Sequence, residues 1–455
     1  MPIDAVNDQL VVTVVGAGLA GSECALQLAD RGVFVRLYEQ RPTHTSPAHH
    51  TDAFAELVCS NSLKSTKEDT AAGQLKWELE AMGSHLLACA RKAAVPAGGA
   101  LAVDRNVFSG LVTQQILEHP NIEVVREEVT SIPAGHVVIA AGPLCSDALF
   151  TSLTQLVGTD SLSFFDAAAP IVDAETIDRS IVFSQSRYGE AGGGDYLNCP
   201  MTREEYDAFM EALLGAKKTI ARDFEQKDLF CACQPVEEVA RTGHDSLRFG
   251  ALKPVGLTDP RTGSRPHAAV QLRAENEAGT AYNLVGFQTN LTWPEQKRVF
   301  RMIPGLQDAE FFRYGVMHRN TFVDAPRKLD ETFAIPGTTV RLAGQITGTE
   351  GYVEAIASGL LAALNTYADL RGLDRLILPD TGSFGSLVAY ATNPATVDYQ
   401  PSHVNFGVFP ELETPVRRKD ERKRLRIQRA REDLSALLAS RPDLFGAHRD
   451  GGAAS

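Results

Sequence analysis

The chain has 455 residues, 44% of them hydrophobic and 22% charged, which is apolar material for two or three buried cores and excludes wholesale disorder. A formal net charge of −13 argues against a uniformly basic, nucleic-acid-binding surface but leaves room for a local basic patch. No apolar run of 18 residues, no secretory leader pattern and no CxxC pair among seven scattered cysteines is present. Neither a membrane span, a disulfide framework nor a metal site is therefore expected, and the setting expected is the cytoplasm.

From the N-terminus, residues 11–15 (VVTVV) are β-branched and apolar, as in a strand buried on both faces. Gly16-Ala17-Gly18-Leu19-Ala20-Gly21 follows, then a helical pattern stopped by Gly32, then a second strand that closes on Glu39. Each part has a mechanical task. Gly16 permits the tight turn, Gly18 lets the backbone approach a pyrophosphate, and Gly21 lets helix and strand pack closely. Glu39 falls where a carboxylate meets adenosine ribose hydroxyls, which disfavours a 2′-phosphate there. This is a dinucleotide-binding βαβ unit.

Two distant segments select the dinucleotide. His136-Val-Val-Ile-Ala-Ala-Gly142 reads as a strand ending in small residues. Val340-Arg-Leu-Ala-Gly344-Gln345 reads as a strand into a turn, and Gly348-Thr-Glu-Gly351 leads into a helix expected over Tyr352 to about Asn365. The dipole of that helix could meet the flavin pyrimidine edge, where charge collects on reduction. Together these segments favour FAD. The fold expected is α/β, a glutathione-reductase-type FAD-binding Rossmann domain with an inserted α+β domain. Residues 1–160 and 330–410 form the discontinuous FAD domain, 161–329 the inserted substrate domain, and 411–455 a charged helical segment with a frayed 451–455 tail. No second nucleotide fold follows.

Two cysteines draw attention. Cys59 lies in the polar turn Glu56-Leu-Val-Cys-Ser-Asn-Ser-Leu-Lys64, where a nearby cation would lower a thiol pKa. Cys233 precedes Gln-Pro-Val-Glu237-Glu238, with Cys231 two residues before it, and the proline suggests an extended presentation. Either thiol could equally be a small buried hydrophobe, as Cys24 on the first helix is expected to be. Arg105 and Arg319 lie in stretches that either line a ligand cleft, where they would hold a substrate tail or an RNA phosphate, or form a satisfied loop network. The run Arg417, Arg418, Lys419, Arg422, Lys423, Arg424, Arg426, Arg429 and Arg431 is either a solvated helix face or a phosphate-binding patch.

The ordered blocks GAGLAG, ELVCSNSLKS, PAGGALAVDR, FFDAAAPIV, YLNCPMT, RYGVMHRNTF and AGQITGTEGYVEAIASGL, from about residue 11 to 410, resemble the TrmFO family of bacterial folate- and FAD-dependent tRNA (uracil-5-)-methyltransferases. Thr349 stands where that pattern usually has valine. The resemblance implies C5-methylation of the T-loop uridine at position 54 of tRNA. The carbon donor would be 5,10-methylenetetrahydrofolate, and the reductant FADH2 generated by NADH or NADPH. It implies a functional pair at Cys59 and Cys233, the latter by its place before x-Pro-x-Glu, with Cys233 as nucleophile and Cys59 as acid/base or supporting thiol. The basic run would then hold tRNA phosphates, and no obligate protein partner is implied. Three rivals remain open: the related wobble-uridine carboxymethylaminomethylation enzyme, which has a longer C-terminal region; an FAD disulfide reductase using Cys231 and Cys233; and a non-enzymatic FAD-binding protein.

Overall fold

The strand Val11–Val15 sits at the centre of a five-stranded sheet, flanked by Phe34–Tyr38 and Ile122–Val125 on one side and by His136–Ile139 and Val340–Leu342 on the other, all parallel. The structure is a computed structural model that describes residues 10–46, 48–158, 162–167, 169–188, 194–219, 234–315, 317–396 and 399–446, with only the backbone path for 162–167 and 317–321. Val12 and Val14 are fully buried, but Val11 is 38% exposed and Thr13 half-buried, so the strand expected to be buried on both faces buries one face deeply and the other only in part.

Two helices cross directly over this sheet. Leu19–Asp30 ends before Gly32, which is left-handed at φ +73°. Tyr352–Arg371 packs against its start so closely that a Cβ on Gly359 would lie 2.1 Å from the Ala20 carbonyl oxygen. That second helix runs six residues past the expected end. Asn365, the expected stop, is buried and uses its side chain to bind the Leu376 backbone at 2.8 and 3.1 Å, fastening the following loop while the helix continues to a left-handed Gly372.

A second hydrophobic core lies in the inserted region. It forms under a six-stranded sheet ordered Phe183–Ser184, Tyr196–Met201, Ala268–Ala274, Ala281–Leu284, Ile171–Asp173, Phe311–Arg313. The helix Arg203–Leu214 covers it, started by a capping box in which Thr202 and Glu205 bind each other's backbone N–H. An antiparallel ribbon, Leu162–Ala167 against Met317–Phe322, carries the chain between the two cores. The helix Lys419–Ser440 returns to the first core through Leu434 and Leu438. Among the described residues, no helix is long and apolar enough to cross a membrane.

Candidate active site

A single cleft runs along the carboxyl ends of the parallel strands, from Glu39 past Gly16, Gly18 and Gly142 to Gly344 and Tyr352. This is where an open parallel sheet presents its ligands. Gly16 has φ +97°, and a Cβ there would lie 2.6 Å from the Ala140 carbonyl oxygen. A Cβ on Gly21 would lie 1.8 Å from the Gly16 oxygen, whereas one on Gly18 would meet nothing within 4 Å. Two glycines therefore serve packing, and the third keeps the cleft clear. No side chain caps the helix at Gly18, so the first-turn N–H groups at Leu19 and Ala20 open towards the cleft.

Glu39 is at the cleft wall, but its carboxylate is already occupied. It accepts from Arg41 Nε at 2.9 Å, from Arg41 Nη2 and the Arg41 N–H at 3.1 Å each, and from the Ala17 N–H at 3.1 Å. Those four bonds use the carboxylate's usual acceptor positions. Burial works to raise its pKa, yet the Arg41 and Ala17 bonds outweigh burial and hold the carboxyl below its ordinary range. A ribose reaching Glu39 must share it with Arg41.

At the other end, Gly344 donates its N–H to Ser358 Oγ at 2.6 Å, and Gln345 Nε2 donates to Glu350 Oε2 at 2.5 Å. Gly351, at φ +117°, is the uncapped start of the helix Tyr352–Arg371. Glu354 in its first turn is fully buried and pairs with Lys64 Nζ at 2.7 Å. Lys64 itself holds a positive φ of 64°. The cation nearest Cys59 in sequence is therefore committed elsewhere.

Cys59 is half-buried on the same cleft wall. Its backbone N–H donates to the Tyr352 hydroxyl at 2.7 Å, as does that of Ser60 at 3.1 Å. Three guanidinium groups converge on this loop. Arg105 donates to the carbonyls of Leu57 and Cys59 and pairs with Glu275 at 2.6 Å. Arg273 donates to Asn61 Oδ1 at 2.8 Å and Ser60 Oγ at 2.9 Å, and Arg313 donates to the Val58 carbonyl. Burial pushes the Arg273 and Arg313 pKa values down; for Arg105 burial is outweighed by the Glu275 carboxylate, which raises it. Arg105 is thus a brace for the Cys59 loop, the satisfied loop network that the sequence left open beside a role in holding substrate. Arg273 and Glu275 lie in no motif read from the sequence, and Tyr352, although inside the AGQITGTEGYVEAIASGL block, carries no local sign that its hydroxyl fixes the Cys59 loop.

Cys231 and Cys233 lie outside the described residues, as do the Arg319 side chain and the 451–455 tail. The chain on either side of the cysteine pair is tied to one segment. Thr219 donates its N–H to Asn290 O at 2.8 Å, and Val236 donates to Gln288 O at 2.7 Å. Glu237 and Glu238, the two carboxylates after Cys233, are both engaged. Glu237 is buried and accepts from the Asn290 N–H and Thr289 Oγ1, while Glu238 pairs with Lys218. Cys24 is buried, as expected, and burial pushes its thiol pKa far up.

The basic run divides in two. Arg426 binds Glu411 and the Phe406 carbonyl, Arg429 binds the carbonyls of Pro410 and Glu411, and Arg431 lies over the Trp77 ring and pairs with Glu68. Arg422 reaches the Val416 carbonyl at 3.3 Å. Among the described residues, Arg417, Arg418, Lys419, Lys423 and Arg424 make no ion pair.

The model of the glucose inhibited division protein A family matches residues 11–374. The methylenetetrahydrofolate–tRNA-(uracil-5-)-methyltransferase TrmFO of Geobacter sulfurreducens is 56% identical over 431 residues, covering 94% of this chain and 99% of that protein. The chain belongs to the TrmFO family. TrmFO of Listeria monocytogenes is 51% identical over 420 residues, covering 92% of this chain and 96% of its own. TrmFO relatives therefore align across the cleft, the Cys59 loop and the insert together. Among solved structures, GidA of Aquifex aeolicus superposes with a TM-score of 0.68 at 16% identity, over 95% of this chain and 74% of that one, a likeness of fold.

Proposed function

We propose that the protein methylates C5 of the T-loop uridine at position 54 of tRNA, taking its carbon from methylenetetrahydrofolate and its electrons from FAD reduced by NADH or NADPH. The names of its relatives state the enzyme class, the carbon donor and the tRNA substrate. The observation that carries the reading is that Cys59 shares a wall with the dinucleotide cleft and is fixed there by Tyr352, the first residue of the helix at the cleft's end.

The cleft fits FAD at both ends. Open space at Gly18 beside an uncapped helix start suits a pyrophosphate, and the uncapped start at Gly351 suits negative charge on a pyrimidine edge. When bound, FAD supplies the reducing equivalents that turn a transferred methylene into a methyl group. The remaining tasks fall to the chain. The Cys233 thiolate adds to uracil C6, placing an electron pair at C5; C5 then bonds to the one-carbon unit, the C5 proton leaves to a base as the unit's bond to its carrier breaks, and addition of a hydride equivalent to the resulting exocyclic methylene gives the methyl group and expels the thiolate. Cys59, on a loop held by three guanidinium groups, acts as the acid/base or supporting thiol. The unpaired cations Arg417, Arg418, Lys419, Lys423 and Arg424 bind tRNA phosphates. The setting is the cytoplasm.

Incubating the holoenzyme with tRNA transcript, methylenetetrahydrofolate and NADH or NADPH, then digesting the RNA, should yield 5-methyluridine at position 54. The Cys233→Ala variant should keep FAD and lose methylation, with Cys231→Ala as the active control. Unmethylated tRNA from an enzyme whose flavin still cycles would sink the reading.

A further inference from the structure

Trp293 is 58% exposed, and it is one of only two tryptophans in the chain. Its ring is stacked on Tyr314 at a centroid distance of 5.5 Å and an interplanar angle of 15°, and Tyr314 is stacked on Phe311 at 5.1 Å and 17°. The result is a three-ring ladder with Phe311 at one end and the open indole at the other.

The ladder is held in place before any ligand arrives. Gln296, fully buried, donates from Nε2 to the Gly315 and Leu291 carbonyls at 2.8 Å each and accepts the Gly315 N–H at 2.8 Å. This clamp ties the turn after Tyr314 to the helix Trp293–Phe300. Its location links both cysteine neighbourhoods. Arg313, between the stacked residues Phe311 and Tyr314, reaches the carbonyl next to Cys59. Asn290 and Gln288, just before Trp293, pin the two ends of the stretch that carries Cys233. Two exposed lysines flank the indole. Lys297 is one turn along the same helix, and Lys217 accepts the Thr292 N–H on its carbonyl at 3.0 Å.

We propose that this ladder is a nucleobase platform: an unpaired base of the tRNA substrate stacks on the open face of Trp293 while Lys217 and Lys297 meet its flanking phosphates. Flipping a uridine out of a loop unstacks its neighbours, and a fixed ring beside the site restacks one of them. Cations beside a flat ring are what a base with its phosphate requires, since the ring takes any base and the charge takes the backbone. The proposal rests on the tRNA reading above.

In a Trp77→Phe background Trp293 is the sole tryptophan, and adding tRNA to the holoenzyme should quench its fluorescence. Trp293→Ala should raise the Kd and KM for tRNA by roughly 5- to 150-fold. The KM for methylenetetrahydrofolate, the rate of flavin reduction by NAD(P)H and the thermal unfolding temperature should not move, and Trp293→Tyr should restore most tRNA affinity. The salt dependence of tRNA binding should keep its slope in Trp293→Ala, because stacking releases no counterions, and should flatten in Lys217→Gln/Lys297→Gln. An unchanged tRNA KM, or a change in the folate KM in its place, overturns the platform while wild-type methylation leaves the functional reading standing. A wild-type enzyme that neither binds nor methylates tRNA overturns both.

Discussion

Replacing each glycine of the opening loop by alanine separates ligand space from packing space. A methyl at Gly21 would sit 1.8 Å from a backbone oxygen, so the first helix must back away from its turn by more than an ångström, at a cost of roughly 1–3 kcal/mol or more. Gly16→Ala combines a 2.6 Å clash with a φ of +97°, adding about 1–3 kcal/mol of backbone strain to a similar overlap. Gly18 differs on both counts. Its φ of −73° and ψ of −164° suit any residue, and its methyl would touch nothing, so Gly18→Ala should leave apoprotein stability within about 1 kcal/mol. That methyl would instead occupy the space in which a pyrophosphate approaches the helix N–H groups. Charge-assisted bonds of this kind contribute about 1.5–3 kcal/mol each, so weakening one should raise the FAD Kd at least about tenfold. The assay pairs thermal unfolding of the three apoproteins with FAD titration followed by flavin fluorescence. An unchanged FAD Kd in Gly18→Ala would show that the pyrophosphate does not pass over this helix start.

Arg105→Gln leaves the buried Glu275 and the Leu57 and Cys59 carbonyls without their donor, and should cost about 3–5 kcal/mol in urea unfolding; Arg105→Lys should recover little of it, since an ammonium has no fork. An Arg417→Gln/Arg418→Gln/Lys419→Gln variant should flatten the log–log salt dependence of tRNA affinity by about 2–3 with stability unchanged, whereas Arg426→Gln should destabilise the protein and leave the slope alone; equal slopes in both variants would return the whole run to a solvated face. Lys76 is buried, and burial above all pushes its pKa down from 10.5 to about 8. Between pH 8 and 10.5 the unfolded chain binds the proton that the folded protein has lost, so stability should rise with pH across that window, by up to about 3 kcal/mol relative to Lys76→Met. Parallel stability curves for the two proteins from pH 8 to 10.5 would contradict it.

Legibility in the sequence follows the reach of the interactions. The glycine loop, its flanking strands and the stop at Gly32 are set by sterics within some twenty residues, and the structure places each of them as read. Where a side chain's partner is remote, residue type alone misleads. Asn365 looks like a helix end but binds Leu376; Lys64 looks like a cation for Cys59 but binds Glu354; Arg426, Arg429 and Arg431 look like phosphate ligands but hold Glu411, Pro410 and Glu68. The Cys59 loop shows why. A polar turn drawn into a protein interior must find donors for its carbonyls and acceptors for its amides, so the carbonyls at 57, 58 and 59 demand partners that the turn cannot supply. Those partners arrive from residues 105, 313 and 352, with Arg273 holding the Ser60 and Asn61 side chains beside them, far from the loop in sequence. No local window contains that set, yet the demand itself is visible in Cys-Ser-Asn-Ser flanked by buried Leu57 and Leu63. A buried polar turn with too few donors of its own is therefore a signal that arginines placed elsewhere in the chain will be used to build the site, and Arg105 and Arg313 meet that need for the carbonyls here while Arg273 meets it for the Ser60 and Asn61 side chains.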